Sequence, residues 1–123
     1  MLHVHINTAA LIVTLEPEGS LSQADFEAAA RIVDPVIDQF GEIKGVLVKT
    51  QSFPGWNSFA ALVAHLKFVR QHHKDIAQVA LVTDSKIAGL VESVAQHFVS
   101  AEVKHFGFAK LDEANHWLGL PTA

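Results

Sequence analysis

The chain has 123 residues, half of them hydrophobic and 18% charged, a size and balance that suit one domain with a substantial core and exclude disordered and fibrous classes. Thirteen acidic residues against nine basic ones leave a formal net charge of −4 with no Lys/Arg cluster, so the long-range field that gathers polyphosphate is missing and nucleic acid is a poor partner. Cysteine is absent, which removes disulfides, thiolate nucleophiles and thiolate metal sites together.

Leu2 to Ile6 alternates apolar and polar residues, and Ala10 to Leu15 is rich in β-branched side chains before Glu16-Pro17-Glu18-Gly19 signals a turn. These predict two strands, paired antiparallel. Ser22 stands where an N-cap belongs, with Asp25 three residues on, and Phe26, Ala29, Ala30, Val33, Ile37 and Phe40 recur at helical spacing up to Gly41. Pro35 inside this helix removes one backbone hydrogen bond and is expected to bend or split it. Gly45 to Lys49 is short and β-branched, as for a strand buried on both faces. Asn57 or Ser58 caps a helix reaching Arg70, with Phe59, Leu62, Val63, Leu66 and Val69 on its stripe. Val79 to Thr83 repeats the buried-strand pattern, and Asp84-Ser85 caps a helix to about Phe98. Glu102 to Phe108 is a last strand, and a short helix from Asp112 to Trp117 or Leu118 stops at Gly119 and Pro121. Strands joined by crossover helices pair in parallel with right-handed connections, so the expected fold is α/β: a mixed, mostly parallel five-stranded sheet with about four helices, spanning residues 1–123 as one domain.

No apolar run approaches the ~20 residues of a bilayer span, and Met1-Leu2-His3-Val4-His5 lacks the pattern of a secretory leader, so a cytoplasmic location is expected. Of the eight histidines, His3 and His5 share a strand face and His65 and His72 a helix face. Metal sites need three or four converging ligands, and no supporting spacing occurs, so solvated or hydrogen-bonded histidines are expected and no metal. Ser20, Ser22, Ser52, Ser58, Ser85, Ser93 and Ser100 include no Gly-x-Ser-x-Gly elbow. Glu16/Glu18 and Asp112/Glu113 suit a turn and a helix start rather than paired acid–base work. Gly41, Gly45 and Gly55 form no phosphate loop.

The unusual stretch begins at Thr50. Between Lys49 and Lys67 there is no Asp, Glu, Lys or Arg, although the segment includes the loop after a strand. In open α/β sheets ligands are met outside the carboxyl ends of strands, where Phe53, Pro54, Trp56 and Phe59 stand. Each ring could bury ~150–250 Å². Either Trp56 and Phe59 lid the core, or they form an apolar patch for a nonpolar small molecule, a lipid surface or another subunit. Phe68 falls off the Phe59/Leu62/Leu66/Val69 stripe and points to a pocket wall or a homodimer seam.

Phe53-x-Gly55-Trp56, Leu66-Lys67-Phe68, His72-x-Lys74, Val82-x-Asp84, Glu102-Val103-Lys104-x-Phe106 and Glu113-Ala114-x-x-Trp117-Leu118 together resemble the bacterial SpoIIAA-like family, part of the STAS group (sulphate transporter and anti-sigma factor antagonist domains). The resemblance covers nearly the whole chain. It implies the SpoIIAA-like/STAS fold and a non-enzymatic module without cofactors that binds nonpolar ligands or touches membranes. Anti-sigma factor antagonists carry a phosphorylatable Ser in an Asp-Ser-Ser-Gly type turn; the nearest match is Ser58, which lacks the neighbouring Asp and Gly. Two functions are therefore weighed. One is a binding module for a nonpolar molecule or membrane surface, with Phe53, Trp56, Phe59 and Phe68 as contacts; the other is a regulatory protein-interaction domain with Ser58 as its phosphorylation site.

Overall fold

The computed structural model describes residues 2–18, 21–41, 43–51, 76–84 and 101–120, excepting the side chain of Ile37. Five strands, β1 (Leu2–Asn7), β2 (Ile12–Pro17), β3 (Gly45–Lys49), β4 (Gln78–Val82) and β5 (Glu102–Phe106), lie side by side in chain order in one sheet. β1 is antiparallel to β2, and every later neighbour is parallel. The helices among the described residues are α1 (Gln23–Phe40) and α2 (Leu111–Leu118), the latter preceded by a 3₁₀ turn over Phe108–Lys110. The sheet is the mixed, mostly parallel one expected. The two helices expected between β3 and β4 and between β4 and β5 lie outside the described residues.

The period-two alternation of each strand sorts its side chains onto two faces. On one face Val13, Leu15, Val46, Val48, Val79 and Leu81 pack with Phe26, Ala29 and Val33 of α1, and Leu2, Val4, Ile6 and Val103 extend this core at its edges. On the other, Ile12, Leu47, Ala80, Val82 and Phe106 meet Ala114 and Leu118 of α2. The central strands are therefore apolar on both faces, whereas β1 alternates apolar with His3 and His5. Each buried aliphatic side chain contributes roughly 1.5–3 kcal/mol relative to exposure.

α1 starts as predicted. Asp25 N–H donates to Ser22 Oγ (3.3 Å), while the Ser22 N–H and hydroxyl donate to Asp25 Oδ2 (2.9 and 3.1 Å), a reciprocal cap. These donors, the Ser22 N–H foremost, hold the Asp25 carboxyl below its ordinary value. Pro35 does not split the helix, which runs unbroken for 18 residues. Pro35 and Arg31 are both exposed, so the Arg31 carbonyl that loses its donor is on the solvent side, where water can serve it. Phe40, expected on the buried stripe, is 43% exposed in the last turn.

Three strand limits differ from the sequence expectation by two residues, and the others agree to within one. β2 begins at Ile12 because Thr8 to Leu11 form the hairpin loop, with Leu11 at φ +58° and the Ala10 N–H bonded to Asn7 Oδ1 at 2.9 Å. It continues through Glu16 to Pro17, opposite Leu2, where a turn was expected. β5 ends at Phe106, because Phe108 N–H donates to Asp84 Oδ1 (3.0 Å) and Lys110 N–H to Gly107 O (2.9 Å), which bends the chain into the 3₁₀ turn. Gly119 (φ +80°) closes α2, with Leu120 N–H reaching Asn115 O at 2.8 Å.

Candidate functional site

The carboxyl ends of the parallel strands are tied together by the main chain. Thr50 N–H donates to Val82 O (3.0 Å), Thr83 N–H to Phe106 O (3.0 Å) and Asp84 N–H to Gln51 O (3.3 Å). Side chains add to this. The Thr83 hydroxyl donates to Gln51 O at 3.4 Å, and His105 Nε2 bonds Thr83 O at 2.8 Å. Thr50 and Thr83 are buried polar residues here, and their burial is tolerable because hydrogen bonds satisfy them. Asp84, expected as a helix cap, uses one carboxylate oxygen on Phe108 N–H, so it links the β4 and β5 ends across 24 positions of sequence.

Beside this rim a cleft of about 420 Å³ opens between the ends of β2 and β3, lined by Glu16, Pro17, Glu18, Lys49, Thr50, Gln51 and Phe108. Lys49 Nζ lies 6.0 Å from the centroid of the Phe108 ring, at the outer limit of a cation–π contact. Glu16 and Lys49 also line a shallower groove of about 220 Å³ that runs over the α2 face of the sheet past His5, Asn7, Thr14, Leu47, Leu111, Asn115 and Leu120. Among the described residues the cleft brings together one phenyl ring, one ammonium and two carboxylates.

Phe53, Trp56, Ser58, Phe59 and Phe68, the contacts and modification site expected from the sequence, all lie outside the described residues. Thr50 and Gln51, which begin that uncharged stretch, line the cleft. Phe108 escaped the sequence analysis because the alternation of β5 assigns it to the strand; Glu16 escaped because Glu-Pro-Glu-Gly reads locally as a turn. The face shared by Glu16 and Lys49 was the available signal, since each sits two residues beyond one of the paired residues Thr14 and Leu47 on the α2 side of the sheet. Ser22 serves as a helix cap. His3 and Glu18 approach to 3.5 Å, both more than half exposed, a geometry of little energetic weight. Among the described residues no group of three or more His, Asp or Glu side chains gathers as metal ligands. No helix among them is long and apolar enough to cross a membrane.

No curated protein matches the sequence. A crystal structure of an uncharacterized protein of the DUF3478 family from Shewanella loihica PV-4, with a SpoIIAA-like fold, superposes with a TM-score of 0.59 at 18% identity, covering 96% of this chain and 92% of that one. At that identity the likeness establishes the fold. The family profile of SpoIIAA-like proteins matches residues 12–119, from the first residue of β2 to the glycine that caps α2. With that span, and with the β1-β2-β3-β4-β5 sheet observed, the chain belongs to the SpoIIAA-like family, whose domains serve in general as binding or regulatory modules.

Proposed function

We propose that the chain is a non-catalytic cytoplasmic binding module that holds a nonpolar small molecule, or settles on a lipid surface, through Phe53, Trp56 and Phe59, with Phe68 lining the wall. The observation that carries this is the position of the cleft. It opens at the carboxyl ends of β2 and β3, at Thr50 and Gln51, where the chain enters a stretch free of charged residues up to Lys67. Burying about 200 Å² of aromatic surface at ~25 cal/mol per Å² gives roughly 5 kcal/mol, against association costs of at least about 4 kcal/mol, so contact is weak and reversible. A net charge of −4 opposes general attraction to anionic lipid, which leaves Lys49 at the rim and Lys67 to meet a polar or anionic end.

The test is vesicle sedimentation with tryptophan emission, carried out in a Trp117→Phe background because Trp117 packs 5.9 Å from the Phe106 ring and would add its own signal. A blue shift of the Trp56 emission on adding vesicles, with sedimentation that is lost in Trp56→Ala, supports the proposal; an unshifted Trp56 emission, or sedimentation unchanged by Trp56→Ala, overturns it. Family membership favours a second function, a regulatory protein-interaction domain. Its Ser58, expected from the sequence at a helix start, would once phosphorylated gain from backbone amides there. A protein partner held by the unmodified chain and released by Ser58→Asp is the result it requires.

A further inference from the structure

We propose that the outer edge of β1 is a homotypic interface, on which two copies of the chain pair their β1 strands antiparallel about a twofold axis at Val4. This does not rest on the ligand proposed above. The backbone groups on that edge follow from the register. Leu2 lies opposite Pro17, and proline has no N–H, so this pair cannot exchange hydrogen bonds. Pairs alternate along an antiparallel ladder. His3, His5 and Asn7 therefore bond to Glu16, Thr14 and Ile12, and the N–H and C=O groups of Leu2, Val4 and Ile6 point away from β2. Among the described residues no strand takes them up.

The two edges of the sheet are built differently. β5 carries Glu102 and Lys104, both exposed, and charged side chains of this kind discourage a strand from adding to an edge. β1, Leu-His-Val-His-Ile-Asn, has no Lys, Asp, Glu or Pro, and its one-to-one register with β2 from Leu2 to Asn7 contains no bulge. It is an unguarded edge.

A second copy of β1 fits it in one preferred register. With Val4 opposite Val4, Leu2 of each copy faces Ile6 of the other, every outward group in the span from Leu2 to Ile6 is used, and about six backbone hydrogen bonds form. Shifting by two residues in either direction loses about a third of them. The side chains agree with that choice. Leu2, Val4 and Ile6 are partly buried against the α1-side core, so pairing continues that core across the seam. On the opposite face His3 of one copy meets His5 of the other at the close, non-hydrogen-bonded positions, where no Lys, Arg, Asp or Glu of β1 sets like charges against each other.

Sedimentation equilibrium of the full chain at neutral pH and about 0.1 mM is expected to show a dimer. Val4→Pro removes an outward N–H and no bond of the β1–β2 ladder, and is expected to raise the dimer dissociation constant about tenfold or more while circular dichroism keeps the folded signal. The register is tested separately from folding. His3→Glu with His5→Lys places opposite charges across the seam and is expected to tighten the dimer about fivefold; His3→Lys with His5→Lys places like charges there and is expected to loosen it by a similar factor. A monomer at 0.1 mM overturns the proposal, as does a dimer whose affinity ignores Val4→Pro or moves the same way in both double variants.

Discussion

A Gly45→Ala substitution is expected to destabilise the protein by about 1–2 kcal/mol, although glycine is a poor strand residue and alanine would ordinarily help. Gly45 lies in β3 opposite both Ile12 and Gln78, beneath the end of α2. A Cβ added there would stand 2.7 Å from Ile12 Cδ1, 3.3 Å from Gln78 O and 3.3 Å from Leu118 Cδ2. Ile12 is 2% exposed, so its terminal methyl has little room to retreat, and the carbonyl belongs to the sheet. Overpacking of this kind costs about 1–3 kcal/mol, and the lower entropy of the unfolded chain returns about 0.4–1 kcal/mol. Urea unfolding followed by circular dichroism would register the difference as a midpoint lowered by roughly 0.5–1 M. Ile12→Val deletes the obstructing methyl at its own cost of about 0.5–1.5 kcal/mol. In the double variant the clash is relieved, so its destabilisation should fall short of the sum of the singles by about 1 kcal/mol. Strict additivity, or a stabilised Gly45→Ala, would refute the close approach of Ile12 to the β3 backbone.

Other consequences are open to direct measurement. Ser22→Ala should lower stability by about 1 kcal/mol, and NMR titration should show the Asp25 carboxyl rising toward its ordinary value near 3.8. Because the folded pKa of Asp25 is lowered, its contribution is complete above the unfolded pKa. It is lost as pH falls through the folded one, so the difference between wild type and Ser22→Ala should shrink only in acid below about pH 4. Leu81→Ala, in the middle of β4 and fully buried, should cost about 2–5 kcal/mol by urea unfolding; a cost under about 1 kcal/mol would contradict the packing of that core. Asp84→Ala should remove the acceptor of the Phe108 amide and speed its hydrogen exchange, while leaving the amides of β3 protected. Equal loss of protection in β3 would show that the contact is not local.

Much of the fold is legible along the chain. β-branched runs mark β3 and β4, the alternation of Leu2, Val4 and Ile6 marks β1, and Ser22 with Asp25 marks the start of α1, because each signal lies within a few residues of the element it specifies. The candidate site is legible only in outline. The uncharged stretch after Lys49 shows where to look, but Phe108 joins the cleft through a bond from its amide to Asp84, two residues that no local pattern connects.

Sequence by itself determined which segments are strands, that α1 and α2 begin and end near Ser22, Gly41 and Gly119, and that the sheet is mixed with parallel strands. Only the tertiary structure decided that β2 continues to Pro17, that Phe40 is exposed and that β5 stops at Phe106. The reason is physical. Propensity and periodicity describe a residue against its own chain neighbours, whereas these outcomes depend on the backbone opposite: a proline is accepted where the pairing with Leu2 demands no donor, and a strand ends where a distant carboxylate takes the next amide.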